Sequence, residues 1–241
     1  MMITSCVSTK DVEYFQSTSN PGTERVPVPE IYEPLIESND ILAIHVASIN
    51  PEATIFFNPS TGDGEHTGSV MTTYIVDADG MIEMPLIGKV HVSGLTTKQI
   101  RDTLRHKLET YLQAPTVRIY FENFKVTVLG EVRSPGVFLV RNEKITVTEA
   151  LGLAGDMTIF AERHKVQIIR ETEGKREFRE LDLTRRDVFN SPYFYLHPDD
   201  ILYIPAGKGR IASADNFYRI APLVMSGLTL LSLLYIRLNQ D

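Results

Sequence analysis

An uncharged run of 17 residues near the end of the chain constrains the structure more than any other feature of the sequence. The run extends from Ile220 to Ile236, between Arg219 and Arg237. As a helix it is about 25 Å long, which is the lower limit for crossing the hydrocarbon core of a membrane. A buried core helix is the alternative, but charges only at the two ends favour insertion. We therefore predict a membrane-spanning amphipathic helix within residues 213–241.

Hydroxyl-bearing residues of this run gather on one side of the predicted helix. At about 100° per residue, Ser226, Thr229 and Ser232 fall within one arc of about 120°, opposite a face of leucines. In a ring of such helices the hydroxyls would line a shared lumen. Close helix packing through small residues is the alternative, and the sequence leaves both interpretations open.

The single cysteine, Cys6, lies close to the N-terminus in Ile3-Thr4-Ser5-Cys6. An apolar residue, two small residues and a cysteine form the pattern that precedes lipid attachment in bacterial lipoproteins, and a buried thiol is the alternative. Five preceding residues are too few for a signal peptide, so we expect the natural chain to begin further upstream. Residues 7–34 are polar and contain several prolines. We predict that residues 1–34 form a lipid-anchored polar tether with Cys6 as the lipid site.

A first folded unit is predicted over residues 35–122. Apolar residues at helical spacing end with Tyr111 and Leu112, and Thr96 followed by Gln99 fits a capping box, so a helix ending before Pro115 is expected between strands. Residues 81–84 are expected to pair back on residues 74–76 as a hairpin around a polar turn.

A second unit is predicted over residues 123–206. Two strands around a Ser-Pro-Gly turn are followed by a short helix near residues 147–154, which Thr146 and Glu149 begin as a second capping box. Further strands end with the segment Asp200–Ile204. The order indicates a β-grasp-like module, so the fold class is α+β with a C-terminal helix.

No constellation of catalytic residues appears in the sequence. The six histidines lack metal-ligand spacing, and Asp77-Ala78-Asp79-Gly80 lacks the glutamate that a calcium loop requires, because Gly88 occupies that position. Asp199-Asp200 is better explained as a turn before a strand than as a carboxylate pair. The net charge of −7 gives no support to nucleic-acid binding. We expect no enzyme activity, no cofactor, no metal and no nucleic-acid partner.

Two consecutive stretches resemble the modules of bacterial outer-membrane polysaccharide export proteins. The first is similar to the polysaccharide export domain and the second to the soluble-ligand-binding β-grasp module, and together they cover about residues 35–205. The motifs that carry the resemblance are Asp79-Gly80, Pro85-Leu86-Ile87-Gly88, Gly94-Leu95-Thr96, Gly130-Glu131-Val132, Pro135-Gly136 and Ala154-Gly155.

This resemblance implies a lipoprotein that exports capsular or exopolysaccharide from a body in the periplasm. Family members are anchored in the outer membrane by lipid, form homo-oligomeric rings, for which an octamer is expected, and cooperate with an inner-membrane polysaccharide co-polymerase or tyrosine autokinase. Cys6 would then be the lipid site and Ile220–Ile236 the helix of a shared barrel.

Three other functions remain open from the sequence. The first is a periplasmic carbohydrate-binding or scaffold lipoprotein without a pore. The second is a glycan-cleaving enzyme, for which no carboxylate pair is found. The third is an inner-membrane protein anchored by its C-terminal helix.

Overall fold

The structure is a computed structural model that describes residues 12–16, 33–58, 71–172, 174–207, 210 and 216–238. Its fold class is α+β, as predicted. The α-helices are α1 (Thr97–Leu108), α2 (Val147–Leu153) and α3 (Asn216–Leu238). The strands are β1 (Ile41–Ala47), β2 (Thr72–Ile75), β3 (Met81–Met84), β4 (Gly88–His91), β5 (Thr116–Phe121), β6 (Lys125–Gly130), β7 (Gly136–Leu139), β8 (Ile145–Thr146), β9 (Val166–Thr172), β10 (Lys175–Leu181), β11 (Tyr195–Leu196) and β12 (Ile201–Ile204).

The first unit is built on an antiparallel sheet in the order β2-β1-β5. Helix α1 packs against β5 and begins at the predicted capping box, in which Thr96 and Gln99 each accept a backbone N–H. The predicted apolar stripe is buried except for Tyr111, which is exposed while Leu112 is buried. The helix ends at Leu108, earlier than the predicted end just before Pro115. The turn that follows redirects Tyr111 to the surface.

The predicted hairpin between residues 74–76 and 81–84 is wrong in its pairing. Its turn forms, because the Asp77 carboxylate accepts the backbone N–H groups of Asp79 and Met81. However, β2 pairs with β1, and β3 pairs with β4 across a tight turn at Pro85. The N–H of Ile87 donates to the carbonyl of Pro85 at 2.8 Å, and this three-residue turn returns the chain immediately. Pairing of β3 with the nearer partner therefore replaces the expected hairpin.

The second unit has a mixed five-stranded sheet in the order β10-β9-β12-β6-β7. The last strand, β12, lies parallel to the first, β6, and separates the hairpin β6–β7 from the hairpin β9–β10. Helix α2 begins at the predicted capping box of Thr146 and Glu149. Gly155, which directly follows the predicted helix near residues 147–154, has a positive φ of 74°. One central parallel strand, two flanking hairpins and one helix form the arrangement expected of a β-grasp module.

The similar segments Asp40–Ile44 and Asp200–Ile204 share a local turn. In each, the aspartate carboxylate accepts the backbone N–H of the residue three positions earlier, at 2.9 Å from Glu37 and 2.7 Å from His197. The residue before each aspartate has a positive φ, of 74° and 63°. The similarity therefore arises because the same turn precedes a buried central strand in each unit. It also confirms that Asp199-Asp200 is a turn before a strand.

Candidate functional site

The C-terminal helix exposes a large apolar surface. Helix α3 covers the whole uncharged run, so its helical prediction is confirmed. The large apolar side chains that are more than half exposed on it are Ile220, Leu223, Val224, Met225, Leu228, Leu230, Leu231, Leu233 and Tyr235. Arg237, the predicted boundary, lies in the last turn, and Arg219 belongs to the same helix. Exposed apolar area of this extent is typical of a surface that another molecule covers.

The prediction that this helix crosses a membrane receives no support. Among the residues that the structure describes, no helix combines the length and the apolar character needed for a crossing. The uncharged run itself reaches about 25 Å, short of a hydrocarbon core of about 30 Å.

The predicted hydroxyl stripe is exposed, and its hydroxyls bond within the helix. Ser226 donates to the carbonyl of Leu223 at 2.9 Å, and Ser232 donates to that of Thr229 at 2.8 Å. Thr229 itself donates to the carbonyls of Met225 and Ser226. Because each hydroxyl proton has an acceptor in its own helix, the stripe can face either a water-filled lumen or the surface of another helix. The choice between lumen and helix packing therefore stays a prediction.

Cys6 lies outside the described residues, and lipid attachment there also stays a prediction. Further along the predicted tether, residues 12–16, here called the strap, are docked on the β-grasp module. The backbone N–H groups of Phe15 and Gln16 donate to the carbonyls of Leu183 and Thr184. Arg186 donates to the carbonyl of Phe15 at 2.9 Å. This part of the tether is therefore held by backbone hydrogen bonds.

Aromatic and polar side chains fix the strap as well. The ring of Phe15 lies 4.8 Å from that of Phe189, measured between centroids. The hydroxyl of Tyr14 donates to the Asp156 carboxylate, and the guanidinium of Arg163 lies 5.2 Å from the Tyr14 ring centroid. Burial raises the pKa of the Tyr14 hydroxyl, and the bond to Asp156 adds to the rise. Tyr14 therefore stays protonated and continues to donate across the physiological pH range.

Polar contacts join the first unit to the β-grasp module. The carboxylate of Glu143 accepts a hydrogen bond from the buried hydroxyl of Thr97 at 3.0 Å and pairs with Arg101 at 3.3 Å. Between the two sheets, Asn123 accepts the N–H of Ile41 at 3.0 Å and donates to the carbonyl of Asn39. Glu143 therefore attaches the loop between β7 and β8 to helix α1.

A cleft of about 510 Å³ opens at this junction. It is lined by Tyr120, Arg141, Asn142, Glu143, Lys144, Thr146, Glu149 and Tyr195. Its volume lies in the range of small-molecule binding sites. Tyr120 comes from β5 of the first unit, whereas Tyr195 is placed by the pairing of β11 with β8. The two tyrosines thus reach one cleft from two different units.

The charged groups of the cleft differ in how fully they are engaged. Glu143 is held by Thr97 and Arg101, and Glu149 accepts both the N–H and the hydroxyl of Thr146. No hydrogen bond or ion pair with another described residue engages the side chains of Arg141, Asn142 or Lys144. The cleft therefore offers two cations and one amide for a ligand, while its carboxylates are already bonded.

Sequence reasoning did not find this cleft, because its residues are spread over 76 positions from Tyr120 to Tyr195. The one available signal was the polar segment Arg141–Lys144 between two apolar strands. It marks a loop, and many loops have that composition.

The comparisons with known proteins agree with the order of the two units. Residues 28–122 match the family model described as polysaccharide biosynthesis/export protein, and residues 125–178 match that of the SLBB domain. An export domain followed directly by an SLBB module defines a class of polysaccharide export proteins. The first match covers about two fifths of the chain and the second about a fifth, and the two units are similar in kind and in order to those of polysaccharide export proteins.

Two curated relatives are named as polysaccharide export proteins. The chain is 27% identical over 132 residues to the EPS I polysaccharide export outer membrane protein EpsA of Ralstonia solanacearum, covering 52% of this chain and 35% of the relative. It is 29% identical over 145 residues to the protein of that name from Ralstonia nicotianae, covering 56% of this chain and 38% of the relative. The matched region thus spans little more than a third of the length of these relatives.

Proposed function

We propose that this protein is a subunit of a homo-oligomeric channel at the outer membrane that exports capsular or exopolysaccharide, and that it is not an enzyme. The observation that carries the proposal is the exposed apolar surface of α3. A helix that is apolar on most sides needs a partner in water. Copies of the same helix are the simplest partner, because a ring places every copy in the same environment.

The β-grasp sheet supports contacts between copies. One edge strand, β7, exposes Val137 and Leu139, which are 62% and 67% exposed. The other edge strand, β10, carries charged residues at most positions, which protect an edge from pairing. Although β10 also exposes Phe178, its charges leave β7 as the less protected edge, which favours a head-to-tail contact with a different surface of the next copy. Contacts of that kind form a ring when the rotation between neighbouring copies closes.

The remaining parts of the proposal follow from the family. We propose that lipid at Cys6 attaches each copy to the outer membrane, with the body in the periplasm. The cargo is a polysaccharide, and the partner in the inner membrane is a polysaccharide co-polymerase or tyrosine autokinase. In the ring, Ser226, Thr229 and Ser232 would face the lumen and Leu231 the outside.

Native mass spectrometry of the full chain extracted in detergent tests the ring. We expect one large homo-oligomer, with an octamer as the expected size. A monomer, together with unchanged surface polysaccharide in a strain that lacks the protein, would reject the channel and favour a scaffold lipoprotein.

Two arginine substitutions on α3 provide a matched pair. Thr229→Arg places a cation in the hydroxyl stripe, where a water-filled lumen would accept it, so the oligomer should persist. Leu231→Arg places the same cation on the outer face, where the apolar surroundings of lipid or detergent would not accept it, so the oligomer should not form. Loss of the oligomer in Thr229→Arg alone would instead show that the stripe packs against another helix.

A further inference from the structure

The cleft between the export domain and the β-grasp module has the composition of a site for a charged sugar. Tyr120 is 38% exposed, so part of its ring is open to a ligand. The faces of aromatic rings are apolar and slightly negative, and they suit the C–H groups of a sugar ring. Tyr120 therefore offers a stacking surface, and the partly buried Tyr195 forms another part of the cleft wall.

The polar groups of the cleft add selectivity. Asn142 can donate and accept hydrogen bonds, which matches a sugar hydroxyl. Arg141 can form two parallel hydrogen bonds with a carboxylate, and Lys144 supplies a second positive charge nearby. Glu143 and Glu149 are already bonded within the protein, so they compete little for these cations.

We propose that this cleft binds a sugar unit that carries a carboxylate, within the polysaccharide that passes through the channel. The inference rests on the proposed function for the identity of the cargo. The cleft is formed by one chain, so its ability to bind a sugar is independent of ring formation.

The location of the cleft adds a link to the rest of the molecule. Glu143 at its rim is the residue that contacts Thr97 and Arg101 of α1. A ligand held by the loop Arg141–Lys144 would therefore contact the segment that joins the two units. Occupancy should slow hydrogen exchange in this loop.

Saturation-transfer NMR on the full chain in detergent tests the proposal, with tetragalacturonate as the acidic probe and maltotetraose as the neutral probe. The wild-type protein should bind the acidic probe at least about tenfold more tightly, since charge-assisted hydrogen bonds are the stronger ones. Higher salt should weaken that binding. Equal binding of both probes would overturn the acidic specificity, and binding of neither would overturn the site.

Matched variants locate the binding. Tyr120→Ala and the double variant Arg141→Ala/Lys144→Ala should each weaken binding of tetragalacturonate at least about tenfold. The controls are Tyr111→Ala and Lys175→Ala, at exposed positions outside the cleft. If the cleft variants bind like the controls, the site is elsewhere.

The same samples are analysed by native mass spectrometry, which separates the two hypotheses. A ring that binds no saccharide would reject the cleft as a sugar-binding site and would leave the channel hypothesis intact. A monomer whose binding of tetragalacturonate depends on the cleft residues would reject the channel hypothesis and retain the sugar-binding site.

Discussion

Arg170 and Asp200 form a buried ion pair with two contacts in the β-grasp module. Nη2 of Arg170 lies 2.7 Å from Oδ2 of Asp200, and Nε lies 3.0 Å from Oδ1. Their side chains are 9% and 1% exposed. Arg170 also donates to the carbonyl of Tyr195 at 3.1 Å, so the pair supports the strand that carries one of the cleft tyrosines.

Removing one charge of this pair should destabilise the module strongly. Asp200→Asn leaves the guanidinium of Arg170 buried without its counter-charge, which costs about 3–5 kcal/mol of the free energy of unfolding. Urea denaturation followed by circular dichroism measures the change.

Asp199→Asn is the matched control, because Asp199 is 70% exposed and pairs with Lys125 at the surface. Its free energy of unfolding should change by less than about 1 kcal/mol. Similar losses in both variants would contradict the structural role of the buried pair.

His197 predicts a pH dependence of stability. Burial lowers its pKa to about 4, and the nearby charge of Arg170 contributes to the lowering. The unfolded chain binds a proton at His197 near pH 6.5, whereas the folded chain does so only near pH 4. The free energy of unfolding should therefore fall as the pH decreases through this window.

The variant His197→Gln isolates this contribution. Urea denaturation of both proteins between pH 7 and pH 4.5 should show a smaller loss in the variant, because glutamine binds no proton. Parallel stability curves for the two proteins would rule out His197 as the source.

Gly130 illustrates a position where only glycine fits. Its φ is +96°, and a Cβ atom there would lie 2.0 Å from the carbonyl oxygen of Ile204. Gly130→Ala should lower the free energy of unfolding by at least about 2 kcal/mol through clash and backbone strain. Gly152→Ala in α2 is the control, since a Cβ there meets no atom within 4 Å. That variant should be neutral or more stable by up to about 1 kcal/mol.

The strap should release when its aromatic contact is removed. Phe15→Ala removes the packing against Phe189, so hydrogen exchange at residues 15 and 16 should become much faster. Tyr14→Phe removes only the hydrogen bond to Asp156 and should cost about 1 kcal/mol. Exchange measured by NMR or mass spectrometry distinguishes the two effects. Unchanged exchange in Phe15→Ala would show that the backbone bonds alone hold the strap.

Local signals were sufficient for most individual elements. Both capping boxes, at Thr96 and Thr146, formed as predicted, because their partners lie three residues away. The strand pattern likewise located β3, since alternation of apolar residues records which side of a strand is buried.

The sequence was a weaker guide to which strands pair with each other, as the strands around Met81 show. The local pattern allowed Met81–Met84 to pair with either neighbour, and the turn at Pro85 decided for β4. Pairing depends on which backbone edge remains free, and a linear pattern does not record that.

The sequence by itself determined the α+β class, the order of the two modules and the helix at the C-terminal end. These follow from the spacing of apolar residues and from local caps. Only the tertiary structure brought Tyr120 to Tyr195, docked the strap on the β-grasp module and buried Arg170 against Asp200. Such relationships join residues that are far apart in the chain, and they exist only after the sheets have formed and excluded water between them.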